Sequence, residues 1–160
     1  MTQNVVITRN LIDNVGFGLS EVGMYYHCPI GVQGLGGTVV DENHLLCRDI
    51  EISYNKIINT VRKPFVHIGD NDPNNYAVYL RSVMNVRVIG NDFGEIVDDG
   101  LGEAPYGGVR MQGAMNIEIS DNIYSETTPF ELYVAGDHYK NVYGSDVTFD
   151  GVPQFPDKED

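Results

Sequence analysis

Asp49-Ile50-Glu51-Ile52-Ser53-Tyr54-Asn55 is a phrase that this chain repeats. Asn4-Val5-Val6-Ile7-Thr8-Arg9-Asn10, Asn85-Val86-Arg87-Val88-Ile89-Gly90-Asn91 and Asn116-Ile117-Glu118-Ile119-Ser120-Asp121-Asn122 follow the same pattern, (Asn/Asp)-apolar-x-apolar-x-x-Asn. A degenerate version begins at Asn141-Val142, and successive starts lie 45, 36, 31 and 25 residues apart. A constant phrase at variable spacing describes one structural repeat carrying loops of different length. Inside each copy the apolar residues alternate, which is the period of a strand with one buried face. Burial is therefore expected at Val5/Ile7, Ile50/Ile52, Val86/Val88 and Ile117/Ile119.

Outward from the phrase, the pattern continues on both sides. Val78-Tyr79-Leu80 precedes Asn85, and Val109-Arg110-Met111 precedes Asn116, at the same offset, which predicts a second strand. Ile12, Ile57, Phe93 and Tyr124 each follow a closing Asn by two positions and predict a third. Three short strands per repeat with polar bends between them is the design of a parallel β-solenoid. The closing residues Asn10, Asn55, Asn91 and Asn122 are expected to stack at one bend, each amide bonding the next. Asn also tolerates the left-handed conformation that a tight bend demands. The outward positions Glu51, Arg87 and Glu118 would form an alternating-charge ladder.

With these stretches in view (NVVITRNLIDN from 4, DIEISYNKIIN from 49, NVRVIGNDF from 85, NIEISDNIYSE from 116), the chain resembles the right-handed parallel β-helix, pectate-lyase-like family over roughly residues 4–150. The resemblance implies an all-β, right-handed single-stranded parallel β-helix of about five rungs. It would occupy residues 1–150, followed by an acidic, Pro-containing tail at 151–160. The family includes polysaccharide lyases, glycosidases, epimerases, fructotransferases and phage tailspikes, and the fold does not choose among them. It also implies a secreted or surface-associated protein, and in several of its members trimers place sites between subunits. With no amphipathic helix before Asn4, one or both caps are expected to be missing. The chain would then be a fragment, or a homo-oligomer or other assembly whose solenoid ends are covered.

Composition agrees with strands. Val and Ile number 32 against 12 Ala and Leu in 160 residues, and β-branched side chains fit a pleated sheet better than a helix. The formal charge is −13, and residues 88–160 carry 3 basic and 15 acidic side chains. Such a surface repels phosphate backbones and anionic membranes, so neither nucleic acid nor membrane is an expected partner. No run of 18 apolar residues offers a membrane span. Cys28 and Cys47 are too few for a disulfide framework and read as small buried residues, with a bridge between them open in a secreted protein.

The candidate chemistry lies in two insertions that precede the second strand, Gly69–Tyr76 and Asp98–Gly107. Loops carried on a rigid scaffold are where binding residues concentrate. Asp98 or Asp99 with Glu103 is the carboxylate pair for acid and base work. Tyr76, Tyr79 and Tyr106 would pack on sugar faces, Arg81 and Arg110 would fix hydroxyls or a carboxylate, and His67 could serve as a base. The plainer reading is that the loop Asp and Asn residues only form turns. No cofactor is expected, although Asp70 and Asp72 resemble the start of a calcium loop without the Gly and distal Glu of an EF-hand. The resemblance adds that lyases of this fold use calcium beside a uronate carboxylate.

Two readings follow. One is a carbohydrate-active protein that binds and cleaves an extracellular polysaccharide or oligosaccharide, by hydrolysis or transglycosylation on a neutral glycan, with calcium-dependent elimination or epimerisation as the alternative. The other is a non-catalytic structural or binding solenoid, such as a tailspike segment.

Overall fold

A computed structural model describes residues 2–13, 29–35, 39–45, 47–58, 75–95, 106–124, 134–135 and 139–147; for 75, 76, 94, 95, 106, 107, 134 and 135 it describes the backbone alone. The strands are β1 (Thr2–Thr8), β2 (Leu11–Asp13), β3 (Ile30–Gln33), β4 (Cys47–Ser53), β5 (Lys56–Ile58), β6 (Asn75–Ile89), β7 (Asp92–Glu95), β8 (Tyr106–Ser120), β9 (Ile123–Tyr124), β10 (Val134–Ala135) and β11 (Tyr139–Tyr143). No helix occurs among the described residues. One sheet runs β1-β4-β6-β8, with β3 joined to β6 and both β10 and β11 joined to β8; the other runs β2-β5-β7-β9. Every described pairing is parallel. An all-β chain of parallel sheets whose neighbours come from successive repeats is consistent with a β-solenoid.

The register follows the repeated phrase. Val5 pairs with Ile50, Ile50 with Val86, Val86 with Ile117, and Ile117 with Val142. Ile50, Ile52, Val86, Val88, Ile117 and Ile119 are all buried, and Ile57 and Phe93 join them from the smaller sheet. Val5, Ile7 and Ile12 pack against this core but stay partly exposed. Cys47 is buried, while Cys28 lies outside the described residues.

The bends differ from expectation in one respect. The left-handed residue is not the closing Asn but the one before it: Arg9, Tyr54, Gly90 and Asp121, at φ of 56°, 54°, 63° and 57°. The opening residues Asn4, Asp49, Asn85, Asn116 and Asn141 are left-handed too, with φ between 55° and 59°. Asn and Asp tolerate that region better than other side chains, which explains why the phrase opens on them. The first two strands of a repeat also merge. β6 turns at Ser82 and Asn85, and β8 at Gly113 and Asn116, while keeping pairing across both bends.

The closing asparagines form the expected ladder, and the hydrogen bonds from one Asn to the next all run one way. Asn10 donates its backbone N–H and its Nδ2 to Asn55 Oδ1 at 3.1 and 2.9 Å. Asn55 does the same to Asn91 at 3.0 and 2.9 Å, and Asn91 to Asn122 at 2.9 and 2.9 Å. The second amide hydrogen of Asn55, Asn91 and Asn122 returns to a carbonyl of the preceding repeat, Ile7, Ile52 and Val88 in turn. Asn55 and Asn91 are fully buried, so this pairing removes a desolvation cost that unbonded amides would carry. The last acceptor is Asp146, which takes both bonds from Asn122 at 3.0 and 2.7 Å.

Outside the main core, Leu45 packs with Met84, Met115 and Val40 in a second apolar cluster. Arg48 donates Nη2 to the carbonyls of Glu42 and Leu45, which fixes the 39–45 segment against the sheet.

Candidate functional site

Stacked repeats turn each position of the phrase into a row across the sheet. The outward row reads Val6, Glu51, Arg87, Glu118 and Tyr143 in register. Beside it the opening row reads Asn4, Asp49, Asn85, Asn116 and Asn141. Members of both rows border a surface depression of about 530 Å³, lined by residues that include Asn4, Asp49, Glu51, Asn85, Arg87 and Tyr143. It combines amides, carboxylates, a guanidinium and an aromatic ring, the mixture by which a polar ligand is oriented on a protein surface.

The charges in the depression are already engaged. Arg87 donates Nε to Glu118 Oε2 at 3.0 Å and Nη1 to Glu51 Oε2 at 3.3 Å. The hydrogen bond to Glu118, more than any other influence, raises the guanidinium pKa above its ordinary value. Ser53 donates to the other Glu51 oxygen at 2.7 Å. Asn85 donates Nδ2 to Asp49, Asn116 to Asn85, and Asn141 to Asn116, a second amide ladder that runs opposite to the first and ends on a carboxylate. Each of the three carboxylates is thus held by a neighbour.

The residues expected from sequence fall in three groups. Tyr79 pairs with Arg110 and Arg81 with Gln112, side by side on β6 and β8 as the repeat predicts. They do not form an open wall: Tyr79 is 3% and Arg110 7% exposed, Arg81 is half-buried, and Tyr79 donates its hydroxyl to Gln112 Oε1 at 3.1 Å. Tyr76 is the second residue of β6 and Tyr106 the first of β8, opposite Gly107 and Asn75 respectively, and only their backbones are described. Asp98, Asp99, Glu103, His67, Asp70 and Asp72 lie outside the described residues. Among the described residues, no group of three or more His, Cys, Asp or Glu side chains could hold a metal ion.

The depression itself escaped the sequence reading, although its signal was present. The opening Asn/Asp positions and the Glu51–Arg87–Glu118 row are both legible in the sequence, where they fix the register of the repeats. Tyr143 belongs to the degenerate copy, whose place in the outward row becomes visible only once β11 is paired with β8.

No family model matches the chain, and no curated protein matches it. Among solved structures it matches a crystal structure from Parabacteroides merdae named as a "putative glycosyl hydrolase", with 15% sequence identity and a TM-score of 0.35. The match covers 62% of this chain and 38% of that one, so the chain spans well under half of the protein it matches.

Proposed function

We propose that this chain is a right-handed parallel β-helix of about five rungs, formed by residues 1–150, that binds an extracellular polysaccharide on the outer face of its larger sheet. Cleavage belongs to the Asp98–Gly107 insertion, where Asp98 or Asp99 and Glu103 supply the acid and the base. The observation that carries the reading is the depression beside Tyr143, whose lining combines amide, carboxylate and guanidinium groups with one ring. A sugar offers hydroxyls to the former and a C–H face to the latter. The depression supplies no unengaged carboxylate, and for that reason catalysis is assigned to the loop and binding to the sheet. The net charge favours a neutral glycan over a polyuronate, which would need a bridging cation such as calcium at Asp70 and Asp72.

The test is release of reducing ends from a neutral glucan, an inulin-type fructan and polygalacturonate, with and without calcium. The comparison is with the Asp99→Asn, Glu103→Gln double variant. The proposal expects calcium-independent release from a neutral glycan that the double variant loses. Calcium-dependent release from polygalacturonate alone points to elimination. Silence on every substrate from folded protein leaves the second reading, a non-catalytic binding solenoid, which the engaged carboxylates of the depression also favour.

A further inference from the structure

Arg87 puts a guanidinium in the depression, yet its partners leave no berth there for an anion. A guanidinium grips a carboxylate through two neighbouring N–H groups, on either its Nε–Nη2 edge or its Nη1–Nη2 edge. Glu118 takes Nε at 3.0 Å and Glu51 takes Nη1 at 3.3 Å, so each edge has lost one of its two nitrogens. Nη2 has no acceptor among the described residues, which suits a single hydroxyl. The two carboxylates come from the strands on either side, since Arg87 of β6 pairs with Glu51 of β4 and with Glu118 of β8. Glu51 is fixed further: Ser53 donates to its Oε1 at 2.7 Å, and Oε2 is the oxygen that meets Arg87.

So much protein charge around one exposed arginine is not explained by stability. The Arg87 side chain is 55% exposed, and ion pairs that face water contribute little to folding. What the row changes is the local field. Asp49, Glu51 and Arg87 line the depression and Glu118 adjoins it through Arg87, three carboxylates against one guanidinium. An incoming carboxylate meets that negative excess and finds no two-nitrogen edge, whereas a hydroxyl meets amides and Nη2. We propose that Glu51 and Glu118 are specificity residues: they stand on Arg87 where the carboxylate of an acidic sugar would bind, and so reserve the depression for uncharged sugar units. The proposal rests on the reading that the depression holds a glycan, and it adds the class of glycan that the site refuses and the residues that refuse it.

The test removes the two occupants and asks whether an anion enters. Isothermal titration in EDTA, so that no cation bridges, would use tetragalacturonate and short oligosaccharides of the neutral glucan and the fructan. It would compare wild type, the Glu51→Ala, Glu118→Ala variant, the Glu51→Gln, Glu118→Gln variant, and the triple variant Glu51→Ala, Arg87→Gln, Glu118→Ala, each first checked for cooperative unfolding. The expected result is a roughly tenfold rise in tetragalacturonate affinity for the alanine variant, as two like charges leave and Arg87 is exposed. The glutamine variant should gain less, because its amides still accept from Arg87 without the charge, and the triple variant should gain nothing. An alanine variant that binds tetragalacturonate no better than wild type overturns the proposal. So does a gain that survives in the triple variant, since it would follow from net charge alone. If the alanine variant does not fold, the glutamine variant decides, and no gain there overturns the proposal. A neutral oligosaccharide bound by wild type beside an unchanged tetragalacturonate affinity in the variants overturns the exclusion and leaves the glycan reading standing. Neutral oligosaccharides bound by none of the four proteins overturn that reading, and the exclusion with it.

Discussion

At the scale of single residues, the stack depends on side chains that bond across the gap between repeats. Asn91 is the fullest case: it is buried, accepts two bonds from Asn55, and donates to Ile52 and Asn122. Asn91→Leu is expected to lower stability by about 1–3 kcal/mol, because leucine fills the space but strands those partners without a bond. Urea denaturation measures it, and an unchanged midpoint would show that the ladder is not structural. Tyr124 gives a pH-dependent prediction. Burial first, and the charge of Asp146 second, raise its pKa well above the ordinary tyrosine value. An unfolded tyrosine ionises near about pH 10, so above that the unfolded chain loses a proton that the folded one retains. The contribution of Tyr124 is thus complete below about pH 10 and is lost as the pH climbs toward its folded value. Urea denaturation of Tyr124→Phe at pH 8 and pH 11 should show a smaller alkaline loss of stability than wild type; an equal loss would assign the effect to other tyrosines.

At the scale of strands and bends, legibility tracked how strictly the repeat holds. Four copies of one phrase gave the parallel register, the core pairs of the last three copies and the Glu51–Arg87–Glu118 row, each of which the structure realises, while Val5 and Ile7 of the first copy stay partly exposed. What escaped the reading departs from the offset or the length. β3 sits far upstream of Asp49 because the first repeat carries the longest insertion, so Ile30-Gly31-Val32 falls outside the offset that marks its partner Val78-Tyr79-Leu80. Val134-Ala135 keeps the common offset before Asn141, but two residues are too short for a periodic signal. Asp146 was hidden by a spacing from Asn141 one residue shorter than that from Asn116 to Asn122, and by its type: a search for closing asparagines skips a carboxylate that performs the acceptor half of the same work. The charge row shows the reverse, a signal legible in sequence that contributes little, since its members are mostly solvated and exposed pairs are worth about 0–1 kcal/mol each.

For the molecule as a whole, the proposed function puts binding and cleavage on different parts of the scaffold, and that separation can be measured. Tyr143 is 48% exposed at the rim of the depression, in the outward row, and it makes no part of the core. The carboxylates assigned to cleavage belong to an insertion that sequence places before the second strand, whereas Tyr143 comes from the degenerate last copy. The depression was legible only in pieces because a surface site on stacked repeats is assembled from residues that are 25 to 45 positions apart, each ordinary by itself. If the depression holds the glycan, Tyr143→Ala should weaken binding roughly fivefold, the equivalent of about 1 kcal/mol for one exposed ring on a sugar face. Affinity electrophoresis in gels cast with the neutral glucan or the fructan reads that loss directly, and thermal unfolding should be unchanged. In the reducing-end assay the same variant should raise KM and leave kcat near wild type, while the Asp99→Asn, Glu103→Gln variant should lower kcat and still be retarded in the gel. A Tyr143→Ala protein that migrates as wild type through every polysaccharide would remove the depression from the proposed function, and would return both binding and cleavage to the insertions.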